Sequence, residues 1–336
     1  MNPKMLIKSI LILCFIAGCS KEENKQEITK ITTPNSGISG IQKVDEFPFY
    51  VMYYSDDYHF DDYLETGAYP VFAQNYSINE ANSWGCTCFA AMCNSNTSFF
   101  GRNFDWHDCI PMLLITNPEN GYSSVSMVDL EYLGFTRNNL PDNPSTNQRL
   151  SRSPYLPFDG MNEKGVAIGM MAIEAANCSV DPSKVTIEEL EVIRLVLDYA
   201  ASVDEAIQLI GKYNIRFTDP PIHYMIADKS GESAIIEFVN GEMKVIPNNN
   251  PWQVCTNFIV TGTSAPNNVS CWRYNKVHSE LKDNQGIINL NEAFKLVEDV
   301  SQSNTIWSMV YDLNNCTVNV SLSRGYSHWY QYNFAL

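Results

Sequence analysis

Residues 85–109, GCTCFAAMCNSNTSFFGRNFDWHDC, gather Cys86, Cys88, Cys93 and Cys109 with Arg102 and Asp105 in one largely apolar stretch. Three chemistries use such residues: thiolate ligation of a metal, disulfide crosslinking, and nucleophilic attack supported by charge. Structural zinc sites set their thiolates in paired Cys-x2–4-Cys knuckles on Gly-rich turns. Here Cys86, Cys88 and Cys93 lie in a run that reads as a strand, with Cys86 and Cys88 on one face and Cys93 on the other. That spacing suits a metal poorly. Cys88, Cys93 and Cys109 read as small buried hydrophobes or disulfide partners. Cys86 differs because it follows Gly85 and lies 16 residues before Arg102 and 19 before Asp105. Taken alone, Arg102 and Asp105 would more often make a structural ion pair. His107 is a tempting base, and the nucleophile chemistry argued below does not need it.

The elements around this stretch must position it. Apolar alternation predicts strands at 86–93, 97–105, 111–116, 122–133 and 165–174, with a polar Pro- and Asn-rich loop at 136–157. Thr186 with Glu189, and Ser202 with Glu205, read as capping boxes opening two helices. IHYMIAD, SAIIEFV and EMKVIPN then read as strands joined by Ser230-Gly231 and Asn240-Gly241 turns. Helices are expected near 271–283 and 291–302, and strands at 305–312 and 316–322. Strands, then helices, then strands with hairpin links predict an α+β fold of antiparallel sheets covered by helices. Residues 44–84 are unusually aromatic, a composition that wants burial rather than a linker's exposure. Neither a repeat nor a second-domain linker is evident.

Bulk composition narrows the function classes. At 336 residues, with 45% hydrophobic and 18% charged residues, the chain is of ordinary globular type. A formal charge of −16 argues against a nucleic-acid partner, which needs clustered Lys and Arg. No Gly-x-Ser-x-Gly elbow and no His-Glu-x-x-His motif occurs, so serine-hydrolase and zincin chemistry have no support.

The first residues read as a secretory signal: Lys4 and Lys8 precede a short apolar run, ILILCFIAG. Residues 1–18 end at Ile16-Ala17-Gly18-Cys19, a junction that resembles the bacterial lipobox, in which the cysteine carries the lipid. A polar tether at 19–43 follows. On this reading the protein is lipid-anchored in a bacterial cell envelope; the alternative is a plain signal peptide. Eight cysteines remain after Cys14 and Cys19, and their spacing dictates no disulfide pairing.

Cys-Thr-x-Phe at Cys86, followed by Phe-Gly-Arg-Asn-x-Asp through Arg102 and Asp105, resembles the choloylglycine hydrolase superfamily. That group takes in bile salt hydrolases, penicillin V acylases and acid ceramidase-like amidases. DGMNEKGVAIGMM at 159–171, IHYMIADKSGESAIIE, the Thr-Asn pair at Asn257 and the Ser-x-x-Arg element at Arg273 resemble further segments of the family, in order. The resemblance implies an N-terminal-nucleophile (Ntn) hydrolase with a four-layer αββα sandwich. It implies self-cleavage at Gly85-Cys86, an aromatic prosegment at 44–85, a catalytic domain at 86–336, and no cofactor or metal. The freed α-amine of Cys86, with a reference pKa near ~8, would be the general base.

The resemblance further implies roles for other residues. Arg102 would favour the thiolate, and Asp105 would orient the α-ammonium. Asn257, with the backbone N–H at Ala172, would stabilise the oxyanion. Family members often carry Asn or Tyr near the Ala172 position, so only backbone is expected to act there. Arg273 would hold Cys86, Asp105 or the acyl oxygen, and Asn162 and Gly165 would only shape a turn. The 16 residues from Asn257 to Arg273 are a compact form, closer to the acid ceramidase and acyltransferase branches. The expected substrates are small-molecule N-acyl amides: bile salts, penicillin V, or N-acyl amines and amino acids. An acyltransferase using the same thioester, and a surface binding module without turnover, are the alternatives.

Overall fold

The computed structural model describes residues 26–70, 85–94, 97–107, 109–142, 148–218, 220–263 and 270–334. The leader, Cys19 and the chain immediately before Gly85 therefore lie outside the described residues, as does the side chain of Cys93.

Before the cysteine stretch come β1 (Glu27–Lys30), β2 (Gln42–Asp45), β3 (Phe49–Tyr54) and α1 (Phe60–Thr66). The stretch itself is the hairpin of β4 (Gly85–Asn94) and β5 (Thr97–Asp105). It is followed by β6 (Pro111–Thr116), β7 (Ser124–Asp129), β8 (Pro157–Asn162), β9 (Val166–Ala172) and β10 (Thr186–Glu188). Then come α2 (Glu189–Tyr199), α3 (Val203–Ile210), β11 (Asn214–Arg216), β12 (Ile222–Asp228), β13 (Ser233–Val239), β14 (Glu242–Pro247) and β15 (Trp252–Cys255). The chain closes with α4 (Trp272–Asp283), α5 (Leu290–Asp299), β16 (Thr305–Asp312), β17 (Thr317–Leu322) and β18 (His328–Asn333).

Two large sheets result. One has seven strands in the order β1-β18-β17-β16-β5-β4-β15, the other nine in the order β14-β13-β12-β9-β8-β7-β6-β3-β2. Alternation along β4 shows how they stack. Cys86, Cys88 and Ala90 join the core between the sheets, while Phe89 and Ala91 join a second core with Tyr274, Val277, Phe294 and Val297 of α4 and α5. The nine-stranded sheet carries α2 and α3 on its other face. The layers are therefore helix, sheet, sheet, helix, which is the expected αββα order. Because β4 is covered on both faces, every residue of 85–92 is buried.

The segment before Gly85 is part of this architecture. β1 pairs in parallel with β18 at the edge of one sheet, and β3 pairs in parallel with β6 in the other. Phe49–Tyr54 is almost wholly buried, so its sequence shows no alternation. α1 buries Phe60 and Tyr63 and stops at Gly67, which adopts φ +69° and donates to Tyr63 O.

Two local expectations change. Thr186 does not cap a helix: 186–188 extends and pairs in parallel with 214–216, and α2 starts only at Glu189. The Thr-x-x-Glu pattern is satisfied differently, because the Glu189 carboxylate accepts from Thr218 rather than from its own helix start. The expected tether at 19–43 is not loose over its described part: Glu27–Lys30 pairs with β18, and β2 starts at Gln42 against β3. Ser202 does cap α3, accepting from Glu205 N at 3.2 Å.

Candidate active site

Cys86 sits where β4 loses one neighbour. β5 runs alongside as far as Gly85, pairing Cys86 with Phe104 and Gly85 with Asp105. On the other side β15 pairs only up to Cys255, opposite Cys88. From there toward the N-terminus, side chains replace the missing strand. The Cys86 amide donates to Asn257 Oδ1 at 2.6 Å. Its carbonyl accepts from Arg273 Nη1. Arg273 also donates to Thr87 Oγ1 and to Asn257 Oδ1, each at 2.9 Å. Asn257 Nδ2 donates to the carbonyl of Ala172 at 2.8 Å, across to the nine-stranded sheet.

Arg102 approaches from β5 on the same inward face as Cys86. Its Nη2 is 3.9 Å from Cys86 Sγ, and its Nη1 donates to Phe158 O at 2.7 Å. Nε lies 3.0 Å from Asp159 Oδ2, but its N–H is not aimed at that oxygen, so the pair is held by charge alone at this atom. Asp159 in turn accepts from Trp307 Nε1 at 3.0 Å and from the Tyr311 hydroxyl. Both partners are fully buried, so each requires the other: an uncompensated charge here would cost several kcal/mol, on the order of 3–5.

Asp105 flanks the Gly85-Cys86 junction. A Cβ on Gly85 would come within 3.3 Å of Asp105 Oδ2 and 2.3 Å of Gln302 Nε2, so a larger residue there would push Gln302 off Asp105. The carboxylate accepts from Gln302 Nε2 at 2.6 Å and from the Thr305 hydroxyl. Burial pushes the Cys86 thiol up from its ordinary value, against the downward pull of Arg102. The buried thiol is therefore protonated at neutral pH and needs a base.

All five side chains singled out in the sequence thus come together, with Ala172 contributing its carbonyl contact to Asn257. Gln302, Thr305 and Asp159 complete the arrangement; Asp159 opens the 159–171 segment, which the sequence ties to the family without a site role. Asn162 shapes the β8–β9 turn, its Oδ1 accepting from Lys164 N and Val166 N at 3.1 Å each, with Gly165 at φ +78°. Beside Ala172 lies a small pocket lined by Trp106, Phe158, Met170 and Leu190, with Glu189 and Thr218 also in its wall. Neither Cys86 nor Cys88 is in a disulfide.

Residues 86–297 match the family model of linear amide C–N hydrolases, choloylglycine hydrolase family. The chain belongs to that family. A bile salt hydrolase/transferase of Lactiplantibacillus plantarum is 31% identical over 184 residues, 51% of this chain and 52% of the relative. The match thus spans about half the length of that curated relative. Among solved structures, penicillin V acylase from Agrobacterium tumefaciens aligns over 71% of this chain and 83% of its own, with TM-score 0.51 and 19% identity. A mutant of conjugated bile acid hydrolase from Clostridium perfringens aligns over 70% and 89%, with TM-score 0.51 and 17% identity. These structural likenesses share the layered Ntn-hydrolase fold.

Proposed function

We propose that this family member is a cysteine Ntn amidohydrolase that cuts its own chain at Gly85-Cys86 and then cleaves linear amides of N-acyl conjugates. One observation carries the reading: the backbone N, the carbonyl and the Sγ of Cys86 are each addressed by a different polar side chain, Asn257, Arg273 and Arg102. An ordinary core cysteine needs none of these.

In the maturation step Cys86 Sγ attacks the Gly85 carbonyl, the peptide C–N bond breaks, and water hydrolyses the resulting thioester. Gly85 leaves as a carboxylate and Cys86 gains a free α-amine. In turnover that amine takes the thiol proton, and the sulfur adds to the substrate carbonyl. The amine then passes the proton to the leaving nitrogen as the C–N bond breaks. Water resolves the acyl-thioester to acid and free thiol. Arg102 stabilises the thiolate, and Asp105 holds the α-ammonium. The Asn257 amide, once its partners rearrange around substrate, donates to the oxyanion together with backbone near Ala172. An acyl group of a bile salt, penicillin V or N-acyl amine type would enter beside Ala172, where Trp106, Phe158, Met170 and Leu190 offer apolar contacts. Acyl transfer to an amine instead of water is the second reading, favoured by the name borne by the Lactiplantibacillus relative.

Incubation with glycine-, taurine- and lipid-amine conjugates, quenched in acid and followed by intact mass, tests this reading. An acyl adduct on the 86–336 chain and released amine are expected. Turnover by a Cys86→Ala protein would overturn it. The leader reading places the protein on the cell envelope through a lipid on Cys19, supported by the Ile16-to-Cys19 junction after a short apolar run. A Cys19→Ala protein should then be released into the soluble fraction.

A further inference from the structure

His223 on β12 and Glu237 on β13 face each other across the nine-stranded sheet, and both are completely buried. His223 Nδ1 is 3.1 Å from Glu237 Oε1, and Nε2 is 2.8 Å from the carbonyl of Thr256. Both partners offer only acceptor atoms. The Glu237 oxygens are also occupied by donors: Val260 N gives to Oε1 at 2.7 Å and Thr261 N to Oε2 at 2.8 Å. Burial pushes the Glu237 carboxyl up, but the donors from His223, Thr261 and Val260 outweigh it and hold it below its usual range. The geometry therefore specifies a continuous hydrogen-bonded chain from Val260 and Thr261 through Glu237 and His223 to Thr256.

Cys255 Sγ lies 3.5 Å from His223 Nε2, so cysteine, histidine and acid stand in line as in a nucleophile triad. All three are sealed from solvent and the Nε2 proton is committed to Thr256 O, so no substrate can be served there. The pair's contacts instead fall on the chain just after β15. His223 fixes the residue before Asn257, and Glu237 fixes residues three and four positions after it. Asn257 is suspended between the two anchors, and it is the side chain that reaches Cys86 N and Ala172 O.

We propose that the His223–Glu237 pair is a positioning device for Asn257: it clamps segment 256–261 so that the Asn257 amide is presented to the Cys86 reaction centre. This rests on the reading of Asn257 as part of the catalytic site. Neither residue touches substrate. A displacement of about 1 Å at such a group costs up to a hundredfold in rate, so Glu237→Gln, which turns one acceptor into a donor facing an N–H, should lower kcat roughly tenfold to a hundredfold. KM should change little.

The decisive experiment is a double-mutant cycle on kcat with Glu237→Gln and Asn257→Ala, joined to amide hydrogen exchange on the 256–261 peptide. If Glu237 acts through Asn257, it should cost little once Asn257 is alanine, and the cycle should be strongly non-additive. Exchange at 256–261 should rise in Glu237→Gln by about tenfold or more while the β4–β5 peptide is unchanged. Additive losses, or unchanged exchange at 256–261, would overturn the clamp. Should Glu237→Gln fail to accumulate, His223→Gln supplies the same cycle, since it keeps the carboxylate for Val260 and Thr261. A Val297→Ala control in the second core, destabilising the fold away from the clamp, should retain kcat. Full activity in Asn257→Ala alone would remove Asn257 from the proposed catalytic site, whereas the exchange measurement would still judge the clamp.

Discussion

The chain on the two sides of Gly85-Cys86 is folded into the same two sheets but used differently. Residues 26–70 contribute edge strands and an aromatic cluster. Among the described residues, the partners of the side chains of Cys86, Arg102, Asp105, Asn257 and Arg273 come from residue 86 onward. The earlier segment is held by hydroxyl-to-carboxylate bonds: Tyr58 donates to Asp198 at 2.6 Å, and Tyr69 to Glu191. Rings of Tyr58, Phe60, Tyr63 and Tyr69 pack around Tyr155 at 5.5–6.4 Å between centroids. Asp198 is also paired with Arg194, which donates to Thr116 and Ser124. Structure and chemistry are thus divided at the junction, so breaking one peptide bond there need not remove the N-terminal segment. We expect it to stay attached.

The largest effect that would sharpen this contrast is at Cys86. Cys86→Ala should abolish amide hydrolysis, remain a single chain, and keep the wild-type thermal midpoint closely, because a small buried group replaces another. Next is Asn257→Ala. Loss of one oxyanion donor costs about 10²–10³ in kcat, and that order is expected in steady-state assays, with the fold retained by circular dichroism. On the other side of the junction the effect should be on stability instead. Phe60→Ala, truncating a buried ring, should cost about 3–5 kcal/mol. Denaturant unfolding should show the loss, and the N-terminal fragment should separate more readily on gel filtration, with kcat unchanged where the complex survives.

A smaller effect concerns pH at the same interface. Burial pushes the Glu191 carboxyl up to about 8, with the Tyr69 hydroxyl pulling the other way. Between its unfolded value near 4.5 and about 8, the unfolded chain has released this proton and the folded chain has kept it. Stability should therefore fall as pH rises through that window. Glu191→Gln should flatten the slope of thermal midpoint against pH between 5 and 8; an unaltered slope would place the effect elsewhere. The smallest effect is at Cys88. It lies two residues from Cys86 on the same face and is equally buried, yet it has no comparable set of partners, so Cys88→Ala should retain activity within about threefold, on the scale of ordinary non-site substitutions.

What was legible in the sequence follows the same division. The β4–β5 hairpin is contiguous, so Cys86, Arg102 and Asp105 could be placed on it by counting along strands. Asn257 and Arg273 come from distant segments, and only the ordered resemblance to a family tied them to Cys86. Gln302, Thr305 and the His223–Glu237 pair carried no local signal, because their roles arise from register between strands far apart in sequence. β3 escaped notice as a strand since both its faces are buried and period-two alternation disappears. The capping box at Thr186 was a true local preference overridden by pairing with 214–216. The aromatic richness of 44–84 signalled the burial seen over its described part, 44–70, without saying that it would supply strands to the nine-stranded sheet.

The central claim is that Cys86 acts as a freed N-terminal residue. N-terminal sequencing and intact mass of purified active protein test it directly. The account predicts two associated fragments, one beginning Cys86-Thr87-Cys88 and one ending at Gly85, with Cys86→Ala remaining uncut. Fully active enzyme whose Gly85-Cys86 bond is intact would contradict it.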